Sequence, residues 1–398
     1  MPVKSTQTCS PQHSMGHYQG RRIGHPFENS APMKIITFDK GGRDQRVAQV
    51  AKGTAPRDFF YGTLDLTELG HDVERIPSGT PYGGLWGSCR QLAETLHSRI
   101  TGLGLRPHRA RQLKCRLQAV EVAISFTDGF SLSLGHAYHT ETRGMATLVG
   151  FFHRLCDIED NAGRFCQAWV RRRILRAVHR LDRLVFFGPA DREEAIVRYA
   201  IPREKTSIFI HGFDTDFWKP TGEPAEDFYF SPGQDPNRDF QLLVDCGVDL
   251  PLHIHTSLPV RVKPGNENIK LSHGNYYQSS LTDTGLRSVY CRSRAVVVPL
   301  QNVLQPSGYS VTMQAMACGK PVVLTRNRGL WAPEYLVDGE NCILVSPGNS
   351  AALATALRRL EGDAGLRTRM GEAARETVLK HFPHKKNLES LRAAIADL

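Results

Sequence analysis

Short apolar runs alternate along the chain with longer segments in which apolar residues recur every three or four positions. That alternation is the pattern of strands separated by helices. Residues 34–38 read as a short buried strand running into Gly41 and Gly42, followed by helical spacing over 48–69 and a second strand at 71–76. Residues 120–126 form a β-branched run that ends at Thr127, Asp128 and Gly129 and leads into an amphipathic helix. A strand at 147–152, a helix at 165–182 and a strand at 184–187 continue the series. Crossovers of this length predict a parallel sheet with helices on both faces.

The pattern loosens over 206–220 and then resumes. Strands are predicted at 228–230, 252–255, 295–299 and 321–325, with helices at 240–246, 310–318, 351–360, 366–381 and 388–398. Gly319 stands where a left-handed cap residue belongs, and Pro321 stops the helix from continuing. The reading is α/β: two doubly wound, Rossmann-like domains joined near residue 200. Its segments are an extension (1–32), a first domain (33–200), a hinge (201–220), a second domain (221–380) and a last helix (381–398) that crosses back toward the first domain. The extension is polar, with no apolar run after Lys4, so a flexible segment rather than a secretory signal is expected.

Composition narrows the field. A chain of 398 residues, 40% hydrophobic and 23% charged, has room for two or three globular domains and no mark of long disorder. No apolar stretch approaches the ~18 residues of a spanning helix. The nine cysteines are scattered without a C-x-x-C, which excludes a zinc ribbon, argues against a disulfide framework and suggests a reducing, cytoplasmic setting. The net charge of +10 suits an anionic partner of some kind. In 165–183, Val170, Ile174, Val178 and Leu181 share one stripe, and Arg172, Arg173, Arg176, Arg180 and Arg183 lie opposite beside Trp169. Such a face fits peripheral docking on anionic lipid, and a solvated face has the same composition. Nucleic acid is not an expected partner, because the basic residues lack interleaved aromatics and a recognisable module.

Candidate chemistry concentrates in residues 295–319, AVVVPLQNVLQPSGYSVTMQAMACG. A buried strand delivers the chain to a Pro/Ser/Gly turn, and a helix opens near Ser310. The free amides at Gly308, Tyr309, Ser310 and Val311, with the positive end of the helix dipole, make a seat for phosphate. A strand–turn–helix in any α/β domain offers the same features. His153 closes the strand at 147–152, at the carboxyl end where parallel sheets place ligands, and is the catalytic candidate. Asp128 reads as a helix cap or as a contact for an acceptor hydroxyl. Gly41 and Gly42 let a loop approach a ligand closely, or simply turn.

The block MQAMACGKPVV (313–323), with Gly329, Glu334, Asp338, Gly339 and Pro347 following in order, resembles the donor-binding half of the retaining family-four glycosyltransferases. That resemblance implies the GT-B fold, two Rossmann-like domains facing a central cleft. It also implies transfer of a sugar, with retention, from a nucleotide-diphosphate sugar (UDP-linked by expectation) to a hydroxyl acceptor on a glycan, glycolipid or metabolite, with neither metal nor other cofactor required. Gln314 stands where the family has the second glutamate of its pair, and Pro306, beside Gln305, where it has the first. In the loop 231–240, Gln234 falls at the family's diphosphate-binding Arg, and Arg238 serves for its Lys. The turn of Gly212, Asp214, Asp216 and Phe217 resembles the family's hinge, with an architectural role. A nucleotide-sugar 2-epimerase and a non-catalytic adaptor on the same fold remain the alternatives.

Overall fold

The computed structural model describes residues 31–41, 43–79, 84–140, 144–274 and 279–396. The expectation for the extension falls almost wholly outside them, as does Gly42. Two six-stranded sheets carry the fold, and every pairing between their strands is parallel. The first holds β1 (Lys34–Asp39), β2 (Asp72–Pro77), β3 (Val122–Ser125), β4 (Thr147–Phe152), β5 (Arg183–Phe186) and β6 (Thr206–Ile208) in the order 2-1-3-4-5-6. The second holds β7 (Tyr229–Pro232), β8 (Leu252–His255), β9 (Ile269–Ser272), β10 (Ala295–Val298), β11 (Val322–Thr325) and β12 (Ile343–Val345) in the order 12-11-10-7-8-9. Central strands such as β3, β10 and β11 are buried along their whole length, as their unbroken apolar text requires when helices cover both faces.

Helices of the first lobe are α1 (Arg43–Ala51), α2 (Thr63–Glu68), α3 (Gly84–Thr101), α4 (Pro107–Gln112), α5 (Lys114–Leu117), α6 (Asp128–Ala137), α7 (Leu155–Asp160), α8 (Gln167–Arg180) and α9 (Pro189–Tyr199). The second lobe carries α10 (Phe240–Val244), α11 (Asp283–Arg292), α12 (Tyr309–Ala317), α13 (Ser350–Gly362) and α14 (Ala364–His381), and α15 (Lys385–Ile395) closes the series. Two expectations need correction. The helix read over 48–69 is broken: α1 stops at Ala51, Gly53 turns with φ 68°, and a single helical turn at Asp58–Phe60 precedes α2. Pro56 has no N–H to continue the helical ladder. The helix after Asp128 is not amphipathic; α6 is buried from Phe130 to Ala137, wedged between β4 and α8. A Cβ on Gly135 would lie 2.2 Å from the Ala177 carbonyl, so glycine sets how closely α6 and α8 approach.

A hinge joins the lobes, and it is packed and hydrogen-bonded. Trp218 is completely buried, and its indole Nε1–H donates to Asp58 at 2.6 Å. The backbone N–H of Asp214 donates to the other oxygen of the same carboxylate at 2.5 Å. After α14 the chain crosses back: α15 lies against α2 and β5 of the first lobe. Asn387 on α15 exchanges two hydrogen bonds with the backbone of Gly212, and His384 meets Asp65 at 3.1 Å. The eight cysteines among the described residues are all free thiols. Among the described residues no helix is long and apolar enough to cross a membrane.

Both partners of Asp58 are donors, so both of its oxygens must accept. Asp58→Asn sets an N–H2 against one of those donors and should destabilise the protein by about 1–3 kcal/mol in urea unfolding. An unchanged midpoint would show that the clamp contributes nothing.

Candidate active site

Because all strands of a sheet run the same way, their carboxyl ends share one edge, and loops on that edge collect the site. On the second lobe, the loop after β7 carries Gln234 and Arg238. The residue Arg238 bridges to Leu300, Asp239 donates to the Pro299 carbonyl, and Gln301 donates to Asn237. The loop is thereby fastened to the end of β10, from which the chain runs to α12. Asp235 ties it further by accepting from Gln305 at 3.1 Å and from the Ser307 hydroxyl.

Gly308 is the cap residue of α12, with φ 81°, and a Cβ there would meet Val298 at 2.7 Å. Only glycine fits this turn. The amides of Tyr309, Ser310 and Val311 form the first turn of α12 and have no acceptor within their own helix.

Arg238 is 6% exposed, yet its Nε and Nη1 have no hydrogen-bond partner. Burial pulls its proton affinity below the ordinary arginine value, and the nearby Asp235 and Tyr290 pull the other way. Its side chain crosses Gly233, where a Cβ would lie 2.5 Å from Nε. Asn327, just past β11, is also buried with both amide atoms unpartnered, and the Thr312 hydroxyl on α12 is likewise orphaned. Buried polar atoms are nearly always paired, so orphans at the ligand-binding edge of one sheet mark a place where a polar ligand would sit.

Not every predicted donor contact is so placed. Gln234 uses its side-chain carbonyl to accept from the backbone and hydroxyl of Ser257, at 2.9 and 2.7 Å. Gln314 is buried, and its carbonyl accepts from the Tyr290 hydroxyl at 3.3 Å. Gln305 is engaged by Asn237 as well as Asp235.

On the first lobe, His153 follows β4 directly. Its ring stacks on Phe187 at 4.3 Å, Phe187 stacks on Tyr309 at 5.8 Å, and Tyr309 meets His211 at 5.2 Å. An aromatic column therefore links the catalytic candidate to the first residue of α12. His153 Nε2 lies 3.2 Å from the Phe126 carbonyl, which can only accept, so Nε2 carries the proton and Nδ1 is an acceptor. Burial lowers its pKa, partly offset by Asp128 and by the Phe126 bond, so the ring is held neutral.

Asp128 corrects the cap reading. Thr127 is the cap residue of α6, and the Asp128 carboxylate accepts from the backbone N–H groups of His153 and Arg154, both at 3.0 Å. It fixes the turn that carries His153. Gly41 takes no positive φ, and a Cβ on it would make only ordinary contact with Pro77 at 3.8 Å, so glycine is not required there.

Several site features had no clear signal in the sequence. Lys40, Arg43 and Arg154 surround Asp128 and His153, and burial followed by the Arg43 charge lowers the Lys40 pKa. Asp157 on α7 accepts the Gln305 N–H from the opposite lobe at 2.9 Å, and burial raises its pKa. Gly188 packs against Pro306 across the same gap. Two open recesses of about 520 and 730 Å³ lie elsewhere, one lined by Arg57, Asp214 and Lys219, the other by Pro220, Cys291 and Lys320.

Residues 262–363 match the family model described as Glycosyl transferases group 1. The lipopolysaccharide core biosynthesis glycosyltransferase LpsE of Rhizobium meliloti (strain 1021) is 37% identical over 79 residues, covering 20% of this chain and 22% of its own. The N-acetyl-alpha-D-glucosaminyl L-malate synthase of Bacillus anthracis is 37% identical over 76 residues, 19% of each chain. The chain thus spans about a fifth of the length of these two relatives. Among solved structures, Anabaena HepE in complex with UDP is similar over 92% of this chain and 100% of its own, at 17% identity and a TM-score of 0.62. WaaG, a glycosyltransferase involved in lipopolysaccharide biosynthesis, covers 91% of this chain and 100% of its own at 12% identity and a TM-score of 0.58. The chain has the GT-B fold, and its second lobe carries a glycosyl transferases group 1 segment.

A buried cation with two of its nitrogens unbonded is a cost that an apolar side chain of similar length removes. Arg238→Met should raise the unfolding free energy of the ligand-free protein by about 1–3 kcal/mol, read from urea denaturation. Gly308→Ala should lower it by about the same amount, through the strained φ and the contact with Val298. Opposite signs in either variant would remove the corresponding reading.

Proposed function

We propose that the protein is a retaining glycosyltransferase that moves a sugar from a nucleotide-diphosphate sugar, UDP-linked, to a hydroxyl acceptor bound on the first lobe. The observation that carries this reading is Arg238, a buried guanidinium whose Nε and Nη1 have no hydrogen-bond partner, on the same sheet edge as the helix start whose amides have no acceptor of their own. A diphosphate supplies the charge and the acceptor oxygens that both lack. The group 1 segment, the glycosyltransferase names of the sequence relatives and the UDP bound to HepE support the same class of donor.

In this reading the bond from the anomeric carbon to the diphosphate oxygen breaks, and its electron pair leaves with the diphosphate. Arg238 and the first-turn amides of α12 stabilise that negative charge where it develops. The acceptor oxygen bonds to the anomeric carbon, and its proton leaves with the diphosphate or to solvent. Neutral His153 uses its Nδ1 lone pair to hold a hydroxyl of the sugar, and Asp128 keeps the turn behind it in place. Lys40, Arg43 and Arg154 draw an anionic substrate toward the first lobe. Contacts that cross the gap include Asp157 to Gln305, Phe187 to Tyr309 and the Arg46–Asp283 ion pair at 2.6 Å, and a donor entering between the lobes would have to loosen some of them.

A thermal-shift series with UDP, GDP and ADP sugars, read alongside release of free nucleotide, tests the assignment. Stabilisation by a sugar nucleotide with slow hydrolysis is expected, and Arg238→Met should abolish the shift. His153→Ala should keep the shift and lose about 100-fold in turnover. Interconversion of the sugar without transfer would favour the epimerase, and no shift with any nucleotide would favour the adaptor.

A further inference from the structure

Helix α3 is built inside out. Leu85, Trp86, Leu92, Leu96 and Ile100 are 88, 83, 71, 58 and 58% exposed. At ~100° per residue they occupy one broad stripe. The opposite side, which faces the protein, is polar: Gln91, Glu94, His97 and Ser98 are half-buried there, and Thr101 is buried. A helix packed on a protein in water places these two faces the other way round, because burying a large apolar side chain is favoured over leaving it in water. Scattered exposed leucines need no explanation, but a continuous stripe of this width marks a surface that something else covers.

Charge identifies the covering. The helix α3 adjoins α8, with the His97 and Trp169 rings 5.0 Å apart and the Arg173 guanidinium 4.7 Å over the Trp169 ring. Arg99 borders the apolar stripe, and Arg172 and Arg176 are exposed on α8, with no ion pair to either among the described residues. Glu94, turned toward the protein, is the single acid in the two helices. Phe165, just before α8, is fully exposed. Apolar side chains flanked by tryptophan and arginine match the layering of a bilayer surface, where acyl chains lie beneath anionic headgroups. A second copy seated on the same face by two-fold symmetry would bring arginines against arginines.

We propose that α3, with the adjoining arginines of α8, forms an in-plane docking surface for an anionic lipid bilayer. The stripe enters the acyl boundary and the arginines engage lipid phosphates. Because α3 follows β2, whose carboxyl end lies on the cleft edge of the first sheet, docking holds that edge close to the membrane. This inference rests on the surface alone and stands whether or not the protein transfers sugar.

Co-sedimentation of the full chain with phosphatidylcholine vesicles, with and without about 30% phosphatidylglycerol, is the test. Binding is expected only to the anionic vesicles, weakening as salt rises and accompanied by a blue shift of tryptophan fluorescence. Arg172→Ala with Arg176→Ala should cost about 30-fold in partition. Leu92→Glu with Leu96→Glu should abolish binding while leaving the melting temperature unchanged, because neither leucine is buried. Three outcomes would overturn the proposal: no binding to anionic vesicles, binding that survives the leucine variant, or a leucine variant that melts early because α3 is packed after all. Self-association of the wild-type chain that the leucine variant removes, without lipid binding, would assign the face to a second copy instead.

Discussion

Parallel pairing is the constraint from which the rest follows. With every strand of a sheet pointing one way, all the carboxyl ends fall on one edge, and each lobe has one side on which loops can converge. The Asp58 carboxylate then sets how the two edges meet. It sits in the first lobe and accepts from Asp214 and Trp218 of the connecting segment, so one buried anion ties the hinge to the first lobe. Burial pushes its pKa up to about 7, against the lowering effect of the two donors. Its oxygens face only N–H groups, which favours the ionised form despite that penalty.

Much of this was legible along the chain, because it is written in local patterns. Apolar runs marked most of the central strands, and Gly308 and Gly319 marked the two ends of α12, since a left-handed backbone needs glycine and a phosphate seat needs a helix start. Less visible was whatever depends on the opposite lobe. Asp157 looks like any helix acid until the fold brings it to the Gln305 amide. Asn327 sits in a polar loop whose text says nothing of its burial. Asp128 was misread for the same reason: a short acid before a helix is the pattern of a cap, and only the spatial neighbourhood of β3 and β4 shows that its partners are the amides after β4. The inverted helix α3 escaped because helical spacing reports a stripe without saying which side faces the core.

The two lobes divide the electrostatic work unevenly. On the second, the partly unpartnered Arg238 guanidinium lies on the same edge as the start of α12, while the side-chain carbonyls of Gln314 and Gln234 already accept from Tyr290 and Ser257. On the first, Lys40, Arg43 and Arg154 crowd His153 and Asp128, and Asp39 pairs with Arg43 at 3.7 Å.

The return of α15 to the first lobe has a consequence for how the molecule is made. The polypeptide passes between the lobes twice, so relative motion is confined to flexing of a double strap, and free swivelling is denied. The Gly212 backbone finds its Asn387 partner only when α15 has been synthesised. During translation the first lobe must therefore wait, with one flank bare, until α15 has been made and can dock on it.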